Sequence, residues 1–258
     1  MANLIIKYSL LGFPIASTGL GFWQLKRLEW KKKLVANLED KMKEEPIDLL
    51  EISSAKDIES LEYRQVKTHG RYDSDPTHQL FLKPRALIVN EEAIYRGKTA
   101  HQSNNGVNVI TPFTVDGTNL RILVNRGWLG LRGKEEVTEN AHIGLDASEP
   151  HELVGVIRKS DKRSTYGLKN DVTRNEWHIR DIDAMAQALN TAPIFIDANQ
   201  DTKRTQGPIG GQTQLNIRNE HLNYAITWFG LAAFSFLMWY SKYGKIGIGS
   251  RTKRKKIG

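Results

Sequence analysis

Residues 218–240 read RNEHLNYAITWFGLAAFSFLMWY. From Leu222 to Tyr240 the chain carries no charge over 19 residues, yet the run opens on an arginine, a glutamate and a histidine. A helix of that length just covers the ~30 Å hydrocarbon core of a bilayer. Trp239 and Tyr240 stand at its end, where amphipathic rings settle at the lipid–water interface. The alternative, a buried core helix, needs a domain that covers an apolar surface on all sides. Read as a membrane span, the stretch sets the fold class, because a second run like it lies near the other end.

That second run is Tyr8–Leu25, YSLLGFPIASTGLGFWQL, 18 residues without a charge and with Trp23 near its end. Only Lys7 supplies charge ahead of it and the apolar run is long, so it reads as a span rather than a cleaved signal peptide. Pro14 is tolerated there as a kink. Gly12 with Ala16, and Ser17 with Gly21, have the spacing that lets a second helix approach, and Gly230–Ala233 offers a matching surface. Two spans put both termini on one side. The final residues, with Lys242, Lys245, Arg251, Lys253, Arg254, Lys255 and Lys256 and no acid, favour the tail inside. Lys26, Arg27 and Lys31–Lys33 oppose that assignment from beyond the first span. The tail suits anionic lipid such as cardiolipin. No aromatic interleaves with its final basic run, so a nucleic-acid partner is not expected.

The 258-residue chain is 40% hydrophobic and 26% charged, with net charge +8 and mean hydropathy −0.46. It has no cysteine, which excludes disulfides, zinc–thiolate sites and thiol chemistry from its own residues. Lys26–Glu45 reads as a helix continuing out of the first span, with Trp30, Leu34, Leu38 and Met42 on one face and Pro46 as its stop. Strand-like runs follow at Tyr63–His69, Gln79–Lys83, Val107–Val115, Leu120–Trp128, Glu152–Arg158, Ile194–Ile196 and Gln214–Arg218. Asp116-Gly117 and Arg126-Gly127 read as turns between strands. Asp181–Asn190 reads as one helix capped by Asp181. The expected fold is an α+β membrane protein. Transmembrane helices at 8–25 and 222–240 flank one β-rich domain, a sandwich or partial barrel with a helical N-terminal extension, at 26–220, and a basic tail fills 241–258.

Motifs for catalysis are missing. His69, His78, His101, His142, His151, His178 and His221 form no i,i+4 pair and no HExxH. There is no GxSxG, and Gly207–Gly211 lacks the Lys-Ser/Thr of a phosphate loop and reads as a sharp turn into the last strand. Asp197 and Asp201 are two loop carboxylates of a kind most proteins carry. No enzyme activity and no directly bound metal are expected. His221 differs by its place. On a helix His221, Tyr224, Ala225 and Trp228 share one face. Two readings stand: a histidine snorkelling toward headgroups above belt aromatics, and an axial ligand for a porphyrin. For the second, Arg27, one turn after Trp23, and Arg218 reach the same membrane surface if the spans pair antiparallel, and could clamp two propionates.

Gly19–Lys31, GLGFWQLKRLEWK, resembles the G-x-W-Q-x-x-R-x-x-W-K signature of the surfeit-locus, or Shy-type, cytochrome c oxidase assembly factors. Further matches run in order: Leu61–Val66, Val124–Trp128, Trp177–Asp181, Pro193–Asn199, Gly207–Thr213 and the stretch around His221. The resemblance is to the mitochondrial members. It implies two spans in the mitochondrial inner membrane, the domain in the intermembrane space and both ends in the matrix. It also implies a role in early maturation of the oxidase catalytic subunit, alongside other assembly factors. The position that ligates haem a in bacterial relatives corresponds to His221. The candidate site is thus His221 with Arg27, Arg218, Tyr224, Trp228 and Trp23. A cofactor-free scaffold for the early oxidase subunit is the competing function.

Overall fold

The computed structural model describes residues 8–52, 58, 60–87, 105–130, 150–162, 167–199, 207–213 and 220–244. The chain forms two compact units: residues 1–37 together with 216–258, and residues 38–215.

The larger unit is built on seven strands: β1 (Ile47–Asp48), β2 (Gln65–Tyr72), β3 (Leu80–Ala86), β4 (Asn105–Val115), β5 (Arg121–Gly130), β6 (His151–Arg158) and β7 (Phe195–Ala198). Six of the seven strand readings are found, with ends shifted by a few residues; Gln214–Arg218 lies outside the described residues. The sheet runs β1-β2-β6-β7-β5-β4-β3, and a further β2–β4 pairing closes β2, β6, β7, β5 and β4 into a five-stranded barrel. The expectation of a sandwich or partial barrel is thereby corrected to a closed one. Closure comes from β2, whose Gln65–Gly70 pairs with β6 while Gly70–Tyr72 pairs antiparallel with β4.

β5 explains why its sequence, RILVNRGWLG, alternates so little. Ile122 and Val124 join Val66, Phe113, Leu153, Ile157 and Ile196 in the barrel core. Leu123 faces the other way, with Phe195, Trp177 and the helix α2 (Ile182–Leu189). A strand buried on both faces has no solvent-facing residues to break the apolar run. In α2, Ile182, Met185, Ala186 and Leu189 are buried, the i, i+3, i+4, i+7 stripe of a helix laid on a sheet. Asp181 caps it as expected, its Oδ1 accepting from Ala184 N–H at 3.3 Å. Asn190 closes it in the left-handed conformation.

Asp116-Gly117 is a turn, with Gly117 at φ +72°, between β4 and β5. Arg126-Gly127 is not: it lies inside β5. Gly127 has φ +127° beside a register shift between Val109 and Ile110, so the glycine marks a bulge. The carbonyl of Ile209 sits 2.1 Å from where a Cβ on Gly127 would be. The bulge thus lets the glycine-rich Gly207–Gly211 turn bridge onto Trp128.

The smaller unit holds α1 (Gly12–Lys43) as far as Asn37, and α3 (His221–Tyr243). α1 is one unbroken helix of 32 residues that begins in the first apolar run and continues as expected to Lys43, just short of Pro46. Among the described residues, one helix is long and apolar enough to cross a membrane, α3. The expected second span does not reach that standard, because the charge-free part of α1 is only Gly12–Leu25 and Lys26, Arg27 and Glu29 follow it.

Candidate functional site at the paired apolar helices

α3 opens at His221. Its N-cap residue, Glu220, makes no side-chain capping hydrogen bond. From that first position the imidazole meets α1: His221 Nδ1 lies 2.7 Å from Gln24 Oε1. An amide oxygen only accepts, so Nδ1 carries the proton and donates. In the neutral ring Nε2 is then the lone-pair nitrogen, and no hydrogen bond joins it to another described residue. A second group holding one ring nitrogen and thereby orienting the other is the arrangement that prepares histidine ligands. In the neutral ring the other nitrogen is thereby left as a single free lone-pair donor at the start of α3.

The helices run antiparallel. As α3 advances from His221 to Phe229 and Ala232, its partners on α1 retreat from Gln24 to Gly21 and Phe22 and then to Pro14. Phe22 and Phe229 pack edge to face with ring centroids 5.3 Å apart. Ser17 and Gly21 on α1, and Ala225 and Ala232 on α3, are buried. The small-residue seam read from Ser17 and Gly21 is therefore present. Gly12 and Ala16 are exposed, and nothing lies within 4 Å of a Cβ added at Gly12, so that pair is not part of it.

The other proposed site residues divide. Arg27 lies one turn beyond Gln24 on α1, its guanidinium 4.0 Å from the Trp30 ring centre. Trp23 and Tyr224 are exposed at 56% and 54%. Trp228 is half-buried. Arg218 lies outside the described residues. The structure thus joins His221 to Gln24 and sets Arg27 one turn away. Gln24 was missed in the sequence, although it stands inside the WQxxR signature; a lone glutamine in an apolar run carries no periodicity to mark its partner.

In the larger unit, Asp197 is 2% exposed and bound on every side. It accepts from Asn125 Nδ2 at 2.8 Å, Arg158 Nη1 at 2.9 Å and Thr213 Oγ1 at 3.2 Å. The parallel register of β5 and β7 sets Asn125 opposite Asp197. Asn125 Oδ1 in turn accepts from Gly127 N–H. These contacts join the Val124–Trp128 and Pro193–Asn199 segments and are those of a structural clamp. Asp201, its companion in the sequence, lies outside the described residues. Among the described residues no cluster of three or more His, Cys, Asp or Glu is placed to hold a metal ion.

The SURF1 family model matches residues 12–233, which takes in all seven strands, α2 and most of both apolar helices. The chain belongs to the SURF1 family. Surfeit locus protein 1 of Takifugu rubripes is 40% identical over 93% of this chain and 98% of its own length. The Gallus gallus protein of that name is 39% identical over 92% and 75%. That of Homo sapiens is 37% identical over 92% and 77%. SURF1 membership agrees with the resemblance read from the signature residues, and the match spans the His221–Gln24 pair and the Asp197 clamp alike.

Proposed function

We propose that this SURF1-family chain is an assembly factor for cytochrome c oxidase that holds haem a for the early catalytic subunit, with His221 as axial ligand. The observation that supports the reading is the 2.7 Å bond from His221 Nδ1 to Gln24 Oε1, which in the neutral ring leaves the Nε2 lone pair open to a ligand. Arg27 and Arg218 serve the propionates, with Trp23, Tyr224 and Trp228 as aromatic surroundings. The chain acts by binding, without turnover. It resides in the mitochondrial inner membrane with the barrel in the intermembrane space, both termini in the matrix and the basic tail on cardiolipin. Its partners are the catalytic subunit and other assembly factors. Support for α1 as the second span comes from its exposed Phe13, Ile15, Leu20 and Phe22, large apolar side chains that suit lipid better than water.

The test is the spectrum of protein purified from cells that make haem A. His221→Ala should remove the Soret band; an unchanged band and stoichiometry would sink the ligand assignment. The same hydrogen bond favours a second reading, because it also clips α1 to α3 with no cofactor. On that reading the chain scaffolds the early oxidase subunit, and it should still associate with that subunit in a strain lacking haem A.

A further inference from the structure

The end of β3 carries a cation that the fold does not use. Arg85 is held through its main chain: the Trp128 indole N–H donates to the Arg85 carbonyl at 3.0 Å, and His178 Nδ1 donates to the Lys83 carbonyl at 2.8 Å. Its guanidinium makes only long contacts among the described residues. Nη1 lies 3.5 Å from the neighbouring Pro84 carbonyl, and Nη2 lies 3.5 Å from Asp161 Oδ2. Yet the side chain is only 30% exposed, so most of it has left water.

Asp161 is already committed to another arginine. Its Oδ1 accepts from Arg180 Nη2 at 2.6 Å and its Oδ2 from the Arg180 backbone N–H at 3.2 Å. The Asp161 N–H donates back to the Arg180 carbonyl at 2.8 Å, and Arg180 Nε donates to the Lys159 carbonyl at 2.7 Å. Asp197, the other carboxylate that acts on Arg85, is held by Arg158, whose buried Nε still finds no acceptor. Nearby, Lys83 faces Glu176 and Lys159 faces Glu62, charge for charge. Two guanidiniums on the one carboxylate of Asp161 therefore leave one positive charge over. Burial holds the Arg85 guanidinium below the ordinary arginine value; Asp161 pulls the other way, and the like charge of Arg180 adds to the lowering.

A part-buried guanidinium without a full partner is costly, and a neighbourhood short of acceptors suits a ligand that brings them. Arg180 Nη1 donates to no described residue, so both planar forks have donors to spare. One fork fills the two oxygens of a carboxylate, whereas a phosphate has oxygens for both. We propose that Arg85 and Arg180, between the end of β3 and the start of α2, form a site for a phosphate oxyanion, either the free ion or a phosphate monoester. The proposal is independent of the haem-holding reading.

The experiment is calorimetric titration of the full chain, in maltoside detergent and phosphate-free chloride buffer, with inorganic phosphate and with glycerol 3-phosphate. Wild type should bind, and Arg85→Gln should weaken binding about ten-fold or more, as loss of a charged hydrogen-bond donor does. The bonds to the Arg85 and Lys83 carbonyls do not involve the side chain, so the variant should keep its fold. Should it not, Arg85→Lys, which keeps the charge and loses the fork, should still bind several-fold more weakly than wild type. Arg121→Gln, the same charge lost at the far end of β5, should bind like wild type. Tighter binding of glycerol 3-phosphate assigns the site to an esterified phosphate such as a lipid headgroup, and tighter binding of phosphate assigns it to the free ion. Binding of neither probe by wild type overturns the proposal. So does equal affinity in wild type and the Arg85 variants, or an equal loss in Arg121→Gln, which would mark attraction to net charge alone.

Discussion

Gln24 and His221 show how much one side chain can decide. The amide is a fixed acceptor, and its loss frees the imidazole to rotate and change tautomer. If His221 holds haem as proposed, Gln24→Leu, close in size but with no acceptor, should weaken haem retention by about 10–100-fold, the usual cost of removing the group behind a ligating histidine. Gln24→Glu, which still accepts, should restore most of it. Equal affinity in both variants would mean that Gln24 orients nothing. Asp197 makes the corresponding case for stability. With Arg158 side chain 9% exposed, Asp197→Ala strands a buried guanidinium. The expected loss is about 3–5 kcal/mol, read from denaturant midpoints of the full chain, with Asp197→Leu no better. Two surface carboxyls act at low pH. Hydrogen bonds from Thr77 lower Asp75, and those from Thr173 lower Asp171, below the ordinary 3.8. A depressed carboxyl stabilises the fold above its unfolded value and ceases to do so as pH falls through its folded one. The double variant Asp75→Asn, Asp171→Asn should therefore lose stability less steeply below about pH 4 than wild type. An identical slope would show that neither carboxyl contributes.

At the scale of elements, the short strands and α2 were legible because their patterns obey one simple rule each. α2 has a clean apolar stripe and an aspartate cap, and both ends fell where those features put them. β5 was legible as a strand but not in its interior. Arg126-Gly127 has the composition of a turn, and nothing local distinguishes a turn glycine from a bulge glycine; the difference lies in Ile209, over eighty residues away in sequence. Gly127→Ala should consequently do more than stiffen a loop. Its Cβ meets a backbone carbonyl and its φ of +127° suits glycine alone. The expected cost is at least about 1–3 kcal/mol, against less than that for Gly117→Asn in the hairpin turn, where no atom lies within 4 Å of the new Cβ. Equal losses in thermal melts would contradict the bulge. Met185→Ala, deleting a fully buried side chain of α2, should cost about 2–5 kcal/mol in the same melts.

For the whole molecule, the two apolar runs were plain in the sequence, and α3 has the length and apolarity to cross a membrane. Barrel closure was not, since it depends on β2 bonding β6 along one stretch and β4 along the next, and no strand encodes its partner. The membrane reading of α1 predicts that the chain resists alkaline carbonate extraction even when α3 is shortened from Leu231 onward. Release of that truncated chain would leave α3 as its sole anchor.

The strand order also sets a timetable. β7 lies between β5 and β6, parallel to the first, yet Phe195–Ala198 is the last of the seven strands to be made. Until it emerges, β5 keeps an edge open at Leu123–Asn125 and β6 one at Gly155–Arg158. At about 5–20 residues per second, the interval from Gly130 to Ala198 leaves an adhesive edge unpaired for several seconds. A nascent chain stalled before Phe195 should therefore aggregate or recruit a holding chaperone, whereas one stalled after Thr213 can zip shut. On this timetable the newborn protein is itself a client of chaperones.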